Sequence, residues 1–267
     1  MTELLHKELT GKIIGVYYDV YNGLSQTYPE FVYEKAMMAD LRRLGIPCVR
    51  QDKYEIRYKD WIVGRQELDL FVAQAVVVEL KVAERIEPLH LAQLLSYLKT
   101  VGKEVGLLFR FGGPEPEFAR RVFTQSAWES NLRTGSPERL VDTEGLLYPE
   151  LVFDVVGGLI EVFKTLGPGF VHRIYANACY RELHHVRGFQ ALPRREMQVY
   201  YRGRPLAQIN FSHIQIEDRL LVFPVAIGDV RNIHLHNLKA WMRQLKIPIG
   251  ILANFQDTRL NPIILRA

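Results

Sequence analysis

Apolar residues near the start of the chain recur at helical spacing. Ile13, Ile14, Tyr17 and Val20 form one stripe over residues 8–24, and Tyr28 to Leu44 carries a second amphipathic pattern closed by Gly45. The period then shortens. Cys48–Gln51, Tyr54–Tyr58, Trp61–Gly64, Glu67–Val72 and Ala75–Val82 read as strands, with Tyr58-Lys59-Asp60-Trp61 as a tight connection. Pro88 suits the first turn of a helix running to about Thr100, and Val105–Phe111 is apolar enough for a strand buried on both faces. The predicted order is two helices, a run of strands, a helix and a final strand, an α/β sandwich.

The same succession occurs twice. His90-x-x-Gln93-Leu94-x-x-Tyr97-Leu98 returns as His234-x-x-Asn237-Leu238-x-x-Trp241-Met242, and Val105-Gly106-Leu107-Leu108 as Ile249-Gly250-Ile251-Leu252. The offset is 144 (234 − 90). Earlier in each half, Gly15, Asp19-Val20-Tyr21, Leu24 and Tyr33 correspond to Gly157, Glu161-Val162-Phe163, Leu166 and Tyr175, at an offset of 142 (175 − 33). Two residues are therefore gained between the blocks. The division expected is a domain over 1–127, a polar linker over 128–142 that holds Gly135-Ser136-Pro137, and a second domain over 143–267.

Bulk properties narrow the picture without deciding it. A composition 48% hydrophobic and 24% charged, free of low-complexity tracts, is that of a globular protein. No apolar run has the length of a membrane span and Met1–Gly11 has no signal-peptide core, so the expected location is the cytoplasm and a membrane is not an expected partner. Cys48 and Cys179 stand alone in apolar surroundings and read as reduced core residues. The net charge of +4 is uneven: residues 143–267 hold 15 Lys/Arg against 10 Asp/Glu, whereas residues 1–142 hold 19 against 20. A basic second half suits a phosphate backbone, and Arg194, Arg195, Arg202 and Arg204 are its candidate contacts, although a solvated strand face is the plainer account of them.

The candidate chemistry lies in the first copy. Glu79-Leu80-Lys81 ends the apolar run Val76-Val77-Val78, and residues two apart on a strand share a face, so Glu79 and Lys81 project together. Burying that carboxylate costs on the order of several kcal/mol unless it is paired or binds metal. Asp69 lies on the preceding strand. A two-residue turn at Ala73-Gln74 would pair it with Val78 and aim it away, so an odd-length loop or a bulge is predicted to set it opposite Glu79. Two carboxylates on one face call for a hard divalent cation, Mg²⁺ or Mn²⁺, whereas a Glu79–Lys81 ion pair is the plainer account. His90, Gln93 and Tyr97 share one stripe of the following helix, and Glu30 and Glu34 stand one turn apart on the second helix, where either could supply a third carboxylate.

Asp69, Glu79-Leu80-Lys81, the His-x-x-Gln-Leu-Leu-x-Tyr-Leu helix and the Val-Gly-Leu-Leu strand together resemble the GxxExxY family of the PD-(D/E)xK nuclease superfamily, over nearly all of residues 8–112. The resemblance implies two tandem restriction-endonuclease-like domains, each a mixed central sheet flanked by helices. It makes Asp69, Glu79 and Lys81 the core motif, with metal held by Asp69, Glu79 and the Leu80 carbonyl. It likens Gln93 and Tyr97 to the Q-x-x-x-Y element and lets Glu34 or Glu30 complete the site. The first copy reads Thr27-x-x-Glu30-x-x-Tyr33 where that family has a leading glycine, and the second reads Gly169-x-x-His172-x-x-Tyr175.

By the repeat, Asp69 becomes His213, Glu79 Phe223, Lys81 Val225, Gln93 Asn237 and Glu34 Ala176, while Pro224 is expected to interrupt the strand. The second copy therefore reads as a pseudo-domain. Two functions follow as expectations. One is a metal-dependent nuclease hydrolysing phosphodiester bonds in DNA with a single active site, the second copy standing in for a dimer partner. The other is an inactive nucleic-acid-binding or assembly subunit, with a protein partner, that keeps the nuclease fold.

Overall fold

A computed structural model describes residues 5–131 and 144–267. The chain divides into two compact units, Met1–Ile56 with Arg65–Leu132, and Arg57–Gly64 with Arg133–Ala267. No helix among the described residues is long and apolar enough to cross a membrane.

In the first unit α1 (Lys7–Gly23) buries Ile13, Tyr17 and Val20 of the sequence stripe together with Val16 and Tyr21, while Ile14 is only half-buried. Helix α2 (Glu30–Arg43) starts after the extended Pro29 and stops where Gly45 takes φ 71°, a left-handed conformation that costs glycine little. Strands β1 (Cys48–Tyr58), β2 (Trp61–Val72) and β3 (Val76–Val82) follow, then α3 (Pro88–Val101), β4 (Val105–Phe111), β5 (Glu117–Val122) and α4 (Gln125–Asn131). The sheet order is β1-β2-β3-β4-β5. It is mixed, because α3 crosses over between the parallel pair β3 and β4 while β3 meets β2, and β4 meets β5, antiparallel. The core of this unit joins Ile13, Tyr17, Tyr33, Met37 and Leu41 of the first two helices to Val76, Val78, Leu80, Leu107 and Phe109 of the central strands.

Three expectations are corrected here. The four stretches between Cys48 and Val72 are two long strands, since in the polar pairs Asp52-Lys53 and Arg65-Gln66 one residue is exposed and the other half-buried, the alternation of a continuous strand. A fifth strand, β5, was not anticipated; all six of its residues are half-buried, which hides the alternation that marks a strand. Trp128, placed in the linker by its polar neighbours, sits in α4 and is 3% exposed, with Lys99 Nζ 4.3 Å from its ring centroid. Residues 132–142, the rest of the expected linker, lie outside the described residues.

The second unit repeats the plan: α5 (Pro149–Leu166), α6 (His172–Tyr180) continued by a π-turn (Arg181–Val186), β6 (Ala191–Tyr201), β7 (Arg204–Ile216), β8 (Leu220–Val225), α7 (Leu235–Gln244), β9 (Ile249–Asn254) and β10 (Ile263–Arg266). Its sheet runs β10-β9-β8-β7-β6, again with one parallel pair, β8 and β9. The registers superimpose: Leu70 pairs with Val78 as Ile214 pairs with Val222, and Glu79 with Leu108 as Phe223 with Leu252, each shifted by 144 (214 − 70, 223 − 79). The two extra residues can be placed. One enters at the π-turn, where the closing glycines Gly45 and Gly188 are 143 apart (188 − 45); the other enters β7, which has 13 residues against 12 in β2 and whose pairing to β6 shifts both between Arg194 and Glu196 and between Val199 and Tyr200.

Pro224 does not interrupt β8, which runs through it to Val225. Strand β7 pairs with β8 only as far as Val222, so the proline lies beyond that ladder, near a strand end where a missing N–H is tolerated.

Candidate active site

The geometry turns on the loop between β2 and β3. Leu70 pairs with Val78 and Val72 with Val76, leaving a three-residue connection, Ala73–Ala75, in which Ala73 and Gln74 take φ 51° and 55°. This is the odd-length loop that the sequence demanded. Asp69 therefore shares the face of Glu79, and Asp69 Oδ2 accepts the Leu80 N–H at 2.7 Å.

Glu79 is 3% exposed near the end of a strand that, apart from Lys81, is otherwise valine and leucine. Lys81 Nζ lies 2.6 Å from Glu79 Oε1 and 3.9 Å from Glu30 Oε1. The other oxygen, Glu79 Oε2, is buried without a hydrogen-bond partner. Carboxylate oxygens of Glu30, Glu34 and Asp69 all lie within 4.8 Å of one another. Both helix glutamates proposed as alternatives thus join Asp69, because they stand one turn apart on α2; Glu79 lies outside this group of three and is linked to it through Lys81, which also reaches Glu30.

Burial, then the charge of Asp69, pushes the Glu79 carboxyl up to about 8. Burial likewise raises Asp69 and Glu30, each against the opposing pull of Lys81. Burial alone would lower Lys81, yet Glu79, Glu30 and Asp69 outweigh it and hold the ammonium charged. Arg50 Nη1 pairs with Glu34 Oε2 at 2.7 Å. Four carboxylates therefore face two cations, Lys81 and Arg50, an excess of two negative charges when all are ionised. Together with the orphaned Glu79 oxygen, that excess fits a divalent cation with oxygen ligands, and the donor set is of the hard type that Mg²⁺ or Mn²⁺ prefers.

Other expected residues fall as follows. Gln93 and Tyr97 are 7% and 6% exposed on α3, whose turns from Ala92 to Leu98 are buried all round. His90 caps its own helix: Nδ1 accepts the Glu87 N–H at 3.2 Å, and its pKa is lowered by burial and by the nearby Lys81. Leu80 presents its N–H to Asp69. Arg50 was missed; its one sequence signal is that it lies two residues beyond the buried Cys48, on the same side of β1.

The second copy holds no such cluster among the described residues. His213 and Phe223 stand where Asp69 and Glu79 would be and pack edge to face, ring centroids 4.5 Å apart, and burial lowers the histidine to about 4. Ala176 is buried in the place of Glu34, and Asn237, in that of Gln93, is exposed. Arg202 and Arg204 are exposed at the β6–β7 turn; Arg194 and Arg195 lie in β6, with side chains outside the described residues.

A family model described as the PD-(D/E)XK nuclease superfamily matches residues 7–122 and again residues 149–266. The chain belongs to that superfamily. Both matches coincide with the repeated folds, so the protein consists of two tandem PD-(D/E)XK domains. No curated protein and no solved structure matches the chain.

Proposed function

We propose that this PD-(D/E)XK protein is a metal-dependent nuclease that hydrolyses phosphodiester bonds in DNA at one active site, in its first copy. The observation that carries the reading is the gathering of Glu30, Glu34 and Asp69 carboxylates beside the buried Glu79 and a lysine held as a cation. Asp69 and Glu79, with Glu30 or Glu34, would hold Mg²⁺ or Mn²⁺. The Leu80 carbonyl would join them, since a strand residue sends its N–H and C=O to the same edge and this N–H faces Asp69. The bound cation would polarise a phosphoryl oxygen and lower the pKa of a water.

The chain's own groups do the rest. Lys81 Nζ, fixed by Glu79 and Glu30, positions the water and opposes the charge that grows on the phosphate. Glu79 must give up its proton for a cation to enter, so cation binding strengthens as the pH rises towards 8. Gln93 and Tyr97 support the lysine's strand from α3. The His213–Phe223 ring pair leaves the second copy to bind nucleic acid through its basic residues, without cutting it.

The test is incubation with labelled single- and double-stranded DNA and RNA in Mg²⁺, Mn²⁺ or chelator, alongside calorimetric titration with Mn²⁺. Cleavage should need metal and fall at least ~100-fold in Glu79→Gln and in Lys81→Ala. Absence of both cleavage and Mn²⁺ binding by the folded wild-type protein would leave the non-catalytic binding role.

A further inference from the structure

The two copies carry equivalent long hairpins in different surroundings. Tyr58-Lys59-Asp60-Trp61 and Tyr201-Arg202-Gly203-Arg204 are their turns, 143 apart (201 − 58). The first turn folds within the second compact unit, where Tyr58 Oη donates to Glu182 Oε2 at 2.6 Å and Lys59 Nζ pairs with the same oxygen at 2.7 Å. Tyr58 and Val63 are buried there. The second hairpin runs out beyond the third strand of its sheet. Strand β7 pairs with β8 only over Ile214–Ile216, whereas its pairing to the edge strand β6 continues to Tyr201 and Arg204 at the turn. Among the described residues from Glu196 to Ile209, each is exposed except the half-buried Val199, and Tyr200, Tyr201 and Leu206 are 65%, 60% and 68% exposed.

A two-stranded ribbon is marginal in water on its own, and one that shows two tyrosines and a leucine to solvent is the kind of surface a partner covers. Its charge says which partner. Between Leu192 and Asn210 stand four arginines, Arg194, Arg195, Arg202 and Arg204, against one acid, Glu196, which accepts a hydrogen bond from Gln208 at 2.6 Å. The next acids, Glu217 and Asp218, lie past the far end of β7. The first hairpin is mixed in charge: Glu55 and Asp60 stand where Gln198 and Gly203 do, 143 residues earlier (198 − 55, 203 − 60). Without those two acids the tip of the second hairpin is purely basic, which suits a polyanion. Its shape narrows the choice. Arg202 and Gly203 both take left-handed backbone, at φ 51° and 77°, the two-residue turn whose twist matches that of the strands. Paired strands lie about 4.8 Å apart, and the major groove of B-form DNA, about 12 Å wide, admits such a ribbon. The major groove of an A-form RNA duplex is too narrow for side chains to read.

We propose that the β6–β7 ribbon enters the major groove of double-stranded DNA, with Arg202 and Arg204 meeting the phosphates at its rim. Tyr200, Tyr201 and Leu206 offer apolar surface to the base edges, where thymine presents its methyl group. This rests on the second copy's role in binding nucleic acid, and it assigns that role to one element and one form of substrate. Binding of this kind releases counterions from the duplex, so it weakens steeply with salt, and it needs no divalent metal.

Fluorescence anisotropy of the full chain in chelator, which sets cleavage aside, reads it with a labelled DNA duplex, its single strand and the corresponding RNA duplex. The wild type should hold the DNA duplex most tightly. Arg202→Gln with Arg204→Gln should weaken that binding about 10-fold or more and flatten the logarithmic salt dependence by about two. Circular dichroism checks the folding of the variant, and Arg202→Lys with Arg204→Lys should restore the slope. Tyr201→Ser with Leu206→Ser should weaken binding at an unchanged slope. Bound protein should also shield guanine N7, which faces the major groove, from methylation by dimethyl sulfate. Duplex binding that these changes leave untouched overturns the proposal, as does an equal or tighter hold on the RNA duplex or the single strand, or a guanine N7 left open. No binding to any of the three overturns the second copy's binding role with it. Ribbon-dependent duplex binding without cleavage in Mg²⁺ or Mn²⁺ would uphold the ribbon and count against the active site alone.

Discussion

Arg50 gives Glu34 a partner that a cation could partly replace. Losing one side of a largely buried ion pair costs on the order of 3 kcal/mol, since the remaining carboxylate stays desolvated beside Asp69 and Glu30. Arg50→Gln should therefore melt well below the wild type in chelator and regain more of its melting temperature than the wild type does when Mg²⁺ is added, as scanning calorimetry would show. His213 makes the opposite kind of prediction. Burial holds its folded-state pKa at about 4 against an ordinary 6.5, so the unfolded chain binds the proton first. Its neutral burial thus contributes stability above pH 6.5 that is lost as the pH falls towards 4, on the order of 3 kcal/mol in full. Urea unfolding at pH 7.5, 5.5 and 4.5 should show His213→Leu losing less stability than the wild type over that span.

At the scale of the element, the Ala73–Ala75 loop decides whether there is a site. Deleting Gln74 shortens it to two residues and shifts β2 by one position, turning Asp69 to the far face. Mn²⁺ binding should vanish on titration, while the second unit, built on its own sheet, keeps its unfolding transition. The glycine in the repeated Val-Gly-Leu-Leu and Ile-Gly-Ile-Leu strands also has a physical reason. A Cβ on Gly106 would fall 2.8 Å from Leu94 Cδ1, and one on Gly250 2.7 Å from Met242 Sδ, so both mark the place where the crossover helix lies closest to the sheet. Gly106→Val should cost about 1–3 kcal/mol in chemical unfolding, because the helix must move or Leu94 must leave its rotamer.

For the whole molecule, the single active site proposed above has a consequence for the product. A single active site cuts one strand per encounter, so supercoiled plasmid should pass through a relaxed, nicked form before linear molecules accumulate. Agarose gels of a time course would show the order. Linear product appearing without a relaxed precursor would mean that two sites act together. Such a result would locate the second site in another copy of the chain, because His213, Phe223 and Val225 offer no set of metal ligands.

The sequence by itself determined the elements that local periodicity controls: the two opening helices, the valine-rich strand that carries Glu79 and Lys81, the crossover helix after Pro88, and the duplication that sets one copy against the other. These follow from the chain's own spacing, because a strand's two faces and a helix's stripe are written in the order of residues. Even the odd loop before Val76 could be required from sequence, since no even one would bring Asp69 to Glu79. Tertiary structure alone decided the rest. Arg50 reaches Glu34 across 16 positions of chain, a pairing with no local signature. Both helix glutamates enter the cluster, although only one was expected to. The polar residues that seemed to break β1 and β2 lie within continuous strands, since solvent on one face satisfies them. The His213–Phe223 contact and the buried Tyr58 turn depend on what lies opposite each residue in space, and spacing along the chain carries no record of that.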